Sequence, residues 1–173
     1  MATLSYTTRR QAVEQTFPLA VMVLAPLLAI FIQAYLPKIF PRFAILDLPL
    51  VVMIYFALAR RSQIYGAVLG ASVGIWQDAL TNLPLGVNGV CKTIVGYMAA
   101  SVSMRLDVDN QGTRLLLVIV LSFVNSVLHL CVMRWLLNEH QDWSWAMETL
   151  RPLLNTAIAL PIFVLLDMFR QRS

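Results

Sequence analysis

Long apolar runs broken by short polar punctuation run through the whole chain. A helix rises about 1.5 Å per residue, so roughly twenty apolar residues cross the ~30 Å hydrocarbon core of a bilayer. Spans follow at about 17–36, 45–59, 63–80, 87–104, 115–137 and 152–169. Pro37 and Pro41, with Lys38 and Arg42, close the first, and Arg60-Arg61 stops the second. Pro49 falls in the first turn of the second span, where a missing N–H costs least. The turn Thr81-Asn-Leu-Pro84 reverses the chain after the third, and the polar stretch from Arg105 to Arg114 follows the fourth. A loop with Asn138, Glu139, Asp142 and Glu148 precedes the sixth. The pattern predicts an all-α, polytopic membrane bundle of about six helices, forming one integral domain over residues 1–173.

Composition agrees with lipid as the solvent. The chain is 59% hydrophobic and 13% charged, against about 45–50% and 25% in ordinary globular domains. Arg9 and Arg10 precede the first apolar run, as in a signal peptide. That run is longer than a 7–15-residue signal core, and no small-x-small cleavage pattern follows it, so it reads as a retained helix. The net charge of +4 does not point to nucleic acid, because the basic residues sit at the ends of apolar runs. Arg9, Arg10, Arg60, Arg61, Arg105, Arg114, Arg170 and Arg172 mark one set of ends; Lys38, Arg42, Arg134 and Arg151 mark the other. The excess places both termini in the cytoplasm. Trp135, Trp143 and Trp145, around the last loop, fit the opposite interface.

The polar residues inside the spans carry the specific information. Gly74-Ile-Trp-Gln-Asp78 leads into Pro84-Leu-Gly86, and an Asp at a helix centre costs about 2.5–3.5 kcal/mol on insertion scales. Gln63, Gly66, Ala67, Gly70, Gly74, Gln77 and Asp78 recur at three- and four-residue steps, which puts them on one stripe of the third helix. The glycines make a smooth groove for another helix, either within the bundle or from a partner protein. Lys92 and Asp78 flank the same turn, so an antiparallel pair brings them to similar depth. Asp78 either pairs with Lys92 or caps N–H groups of the turn and of the fourth helix. Gly86 and Asn88 suit a tight turn and a helix start. Asp47 and Asp167 lie near span ends, within reach of interfacial water.

Ser122, Asn125, Ser126 and His129 form a second stripe, on the fifth span. Such a stripe faces protein or water: interhelical hydrogen bonds are one reading, a transport cavity or proton path the other. Cys91 and Cys131 read as small packing residues, without disulfide or metal-ligand spacing. The chain carries no G-x-S-x-G elbow, P-loop or H-E-x-x-H, and no nucleophile with an adjacent base. No catalytic residue, cofactor or metal site is expected.

The stretch from Leu48 to Tyr97 resembles the rod-shape-determining MreD family of bacterial inner membranes. That family shows a Pro-bearing apolar helix, a Gly-rich helix ending in G-x-x-x-D, and a turn ending in L-G. Here these appear as Asp47-Leu-Pro49-Leu, then Gly70 and Gly74-Ile-Trp-Gln-Asp78, then Pro84-Leu-Gly86. Asn82 stands where the family often has Gly, and Lys92 lies outside the motifs that carry the resemblance. The resemblance implies a non-enzymatic component of the cell-elongation machinery in the inner membrane. Its expected partners are membrane lipid and MreC, with MreB filaments and peptidoglycan synthases as further candidates. The implied fold is similar to the S components of energy-coupling-factor vitamin transporters, which supplies the alternative function.

Overall fold

The computed structural model describes residues 17–81, 84–106, 108, 110–136 and 145–169. Six α-helices lie within them: α1 Leu19–Ile39, α2 Leu48–Arg60, α3 Gln63–Thr81, α4 Val87–Ser103, α5 Gln111–Cys131 and α6 Trp145–Met168. A 3-10 turn at Pro41–Ile45 joins α1 to α2, and a π-helical segment, Val132–Leu136, continues α5. No strand occurs among the described residues.

Local chemistry sets the ends. The Asp47 side chain caps α2 by accepting the Leu50 N–H at 3.2 Å, with Pro49 in the first turn. Arg61 stops α2 in the left-handed region, at φ 50°. Asn110 caps α5 through the Gly112 N–H at 2.9 Å. Two expectations from proline fail. The first helix continues past Pro37 to Ile39, and α6 begins at Trp145 with Pro152 inside it. Each proline removes one ladder hydrogen bond, a loss that membrane helices tolerate when packing holds the segment. Glu148 therefore belongs to α6. Asn138, Glu139, His140, Asp142 and Trp143 lie outside the described residues, as do Asn82 and both arginine-bearing termini.

The centre of the bundle is α2. Every residue from Pro49 to Ala59 is buried, and the other helices surround it. Phe17, Tyr55, Phe56 and Phe163 interlock there, with ring centroids 5.1–5.7 Å apart. The outer faces are apolar instead: Leu24, Leu28, Ile64, Trp76, Leu116, Leu153 and Leu160 are all exposed. Such a surface is stable in lipid, not in water.

Four stretches are long and apolar enough to cross a membrane: Ala20–Ile39, Phe43–Arg60, Gln111–Trp135 and Thr149–Met168. All six expected helices form, but α3 and α4 fall short of that standard. The reasons are length for α4 and composition for α3. α4 has only 17 residues, and α3 spends its length on glycines, Gln77 and Asp78. Those residues face a neighbouring helix, where lipid never meets them.

Candidate functional site at the polar end of the bundle

The tightest contact in the protein joins α3 and α4. A Cβ added at Gly66 would collide with the Gly96 carbonyl, at Gly70 with the Lys92 carbonyl, and at Gly74 with the Asn88 carbonyl. These obstacles are backbone atoms, which cannot rotate away. The glycine groove is therefore filled by α4 of the same chain. Along these three glycines it has no room for a partner's helix.

Asp78 closes one end of this seam. It is 1% exposed. Its carboxylate accepts the Gly86 N–H at 2.9 Å, the Asn88 N–H at 3.1 Å, the Gly89 N–H at 3.3 Å and the Asn88 Nδ2 at 2.8 Å. Those N–H groups are the orphan donors at the start of α4, so the carboxylate sits at the positive end of the helix dipole. Gly86 turns the chain back at φ 102°, which favours glycine. Pro84 begins the reversal, its carbonyl accepting the Val87 N–H at 3.4 Å.

Lys92 does not pair with Asp78. Its ammonium donates to Asp47 Oδ1 at 2.6 Å and to Gln77 Oε1, and the side chain is fully buried. Asp78 is already saturated with backbone donors, while Asp47, at the start of α2, presents an oxygen across the bundle. Asp47 thus caps α2 and neutralises α4 at once, instead of only reaching interfacial water. The sequence signal for it was indirect: a lysine in an apolar span requires a carboxylate at its own depth, and Asp47 was one of few at hand.

Beside this network lies a cavity of about 330 Å³. It occupies the end of the bundle where α1, α3 and α5 finish and α2, α4 and α6 begin. Ser122, Asn125, Ser126 and His129 all line it, together with Gln33, Asp47, Gln77, Asn88, Arg151 and Asn155. The stripe on α5 therefore faces a polar cavity. Ser122 Oγ accepts an interhelical hydrogen bond there from Asn155 Nδ2 at 3.5 Å. Asn155 also accepts the Asp47 N–H at 2.9 Å, and Gln33 accepts the Leu48 N–H at 3.2 Å. Neither residue stood out in the sequence, since a single amide on an apolar helix gives no periodic signal.

A separate ionic cluster holds the other end. Arg114 Nη1 meets Asp167 at 3.0 and 3.2 Å, Tyr55 OH donates to Asp167 Oδ1 at 2.6 Å, and Arg114 Nε donates to the Val108 carbonyl at 2.5 Å. Asp167, expected to reach only interfacial water, ties α2, α5 and α6 together. Cys91 and Cys131 are both free thiols, Cys91 buried and Cys131 exposed. Among the described residues, no group of three His, Cys, Asp or Glu side chains is placed to hold a metal. The chemistry on view is the holding of charge: the acidic and basic side chains of this network are bound to N–H groups or to one another.

No curated protein and no solved structure matches the chain, so the likeness to S components rests on the resemblance alone. The family model described as rod shape-determining protein MreD matches residues 14–172. That span takes in all six helices, the glycine seam, the Asp78 cap and the cavity. The chain belongs to the MreD family and is a rod-shape-determining membrane protein.

Proposed function

We propose that the protein is a non-enzymatic inner-membrane scaffold of the cell-elongation complex, docking MreC and helping to couple MreB filaments to peptidoglycan synthases. The family match across nearly the whole chain carries this reading. A bundle whose ion pairs and caps lock the helices together suits a scaffold. Both termini lie in the cytoplasm in this proposal, so the cavity end faces outward.

With the glycine groove filled, docking falls to the lipid-facing surface. A shallow apolar depression lies there between α3 and α4, lined by Ala71, Ile75, Gly89, Val90, Thr93 and Ile94. Small residues let a partner's transmembrane helix approach closely. Val90 is 50% exposed, so a large side chain there blocks docking without entering the core. The test is co-purification from a rod-shaped host in mild detergent. MreC accompanies the parent protein and is lost from Val90→Trp at unchanged thermal stability. Absence of MreC from the parent overturns the proposal.

One observation favours a second reading, the substrate-binding subunit of a vitamin transporter: the polar cavity at one end of the bundle. Co-purification of an ATPase module in place of MreC would establish it.

A further inference from the structure

We propose that this end cavity binds a small uncharged group rich in hydroxyls or amides, of about monosaccharide size. Asn125 is 8% exposed and lines the cavity, yet its Oδ1 has no hydrogen-bond partner. Buried amide oxygens are almost always paired, and an orphan is destabilising until a donor reaches it. The residue lines the cavity while the oxygen itself is covered, so a turn of the Asn125 amide is the step that presents it to a donor there.

The rest of the wall defines what fits. Gln33 and Gln77 spend their carbonyl oxygens on the Leu48 N–H and on Lys92. Their NH₂ groups remain as donors among the residues that line the same cavity as Asn125. A hydroxyl both gives and takes a hydrogen bond, so it satisfies either kind of group; an amide does so with two atoms. The charged side chains at the wall are already engaged within the protein. Asp47 holds Lys92 at 2.6 Å, and Arg151 and His129 have partners of their own. A charged ligand would have to displace one of those pairings, whereas an uncharged one leaves them intact. The volume, about 330 Å³, lies at the small end of the range for ligand pockets, roughly 300–1,000 Å³.

Such a group arrives either as a free molecule from the aqueous side or as the headgroup of a lipid. Thermal unfolding of the full chain separates these sources. In detergent the probe is N-acetylglucosamine at about 20 mM. In nanodiscs it is monoglucosyl-diacylglycerol mixed into phosphatidylcholine, against phosphatidylcholine alone. A rise in Tm of about 3 °C in either arm supports the site and names its source. The same rise must vanish in Asn125→Leu, whose Tm without probe equals or exceeds the parent's because the orphan oxygen is gone. No shift in either arm overturns the proposal and leaves a water-filled cavity. So does an equal shift in Asn125→Leu, or a lower Tm of that variant without probe, which would show the amide already satisfied. The site is independent of partner docking, so loss or retention of MreC does not alter these readouts.

Discussion

Two helix pairs in this protein solve the same problem in opposite ways. In α3–α4, Gly66, Gly70 and Gly74 let the backbones touch, with no space left for a side chain at those three positions. Along α5 and α6, Ser122, Asn125, Ser126 and Asn155 recur instead, and the bundle keeps a cavity of about 330 Å³ beside them. Helices in lipid gain little from hydrophobic burial, so they associate through close packing or hydrogen bonds. The glycine pair takes the first route and closes its seam. The amide and hydroxyl wall takes the second, with polar atoms left over for something else.

The sharpest test of this contrast is the charge buried in the tight seam. Asp47→Asn strands the Lys92 ammonium in the core and costs about 3–5 kcal/mol of stability. The double variant Asp47→Asn with Lys92→Met recovers most of that, measured by chemical or thermal unfolding in detergent. Failure to recover would mean that the Asp47 carboxylate acts other than through Lys92, since an asparagine still caps α2. Next comes Gly70→Ala, where one methyl group meets the Lys92 carbonyl. Its expected cost is about 2–3 kcal/mol, even after the ~1 kcal/mol gain in helix propensity. A neutral result would show that the two backbones separate readily. Smallest is Ser126→Ala on the cavity wall, a similar change in size with nothing to collide against, expected to shift stability by less than about 1 kcal/mol. A loss as large as that of Gly70→Ala would erase the distinction between the pairs.

The helices were legible because apolar runs and their breakers are local. Arg60-Arg61 ends α2, and Thr81 ends α3, where the sequence pattern puts them. Proline misled at Pro37 and Pro152, since a helix supported by neighbours absorbs the loss of one hydrogen bond. The glycine stripe was legible as a contact surface, but its occupant was not. Periodicity identifies a face without saying which helix covers it. The Asp78 carboxylate illustrates the same limit. Its burial followed from its setting, and capping of α4 was one of two available roles. The choice turned on the position of Asp47, 31 residues earlier in the chain.

From the sequence alone came an all-helical membrane bundle, its glycine-bearing face, its polar stripe on α5, and two charges, Asp78 and Lys92, at similar depth inside the spans. These are matters of transfer free energy and helical period, which act on each segment separately. The partners were decided by the fold: Lys92 with Asp47, Arg114 with Asp167, α4 in the glycine groove, and six helix ends gathered round one cavity. Each depends on how separate helices are brought to the same depth and turned toward one another. Only the packing around α2 fixes those two quantities.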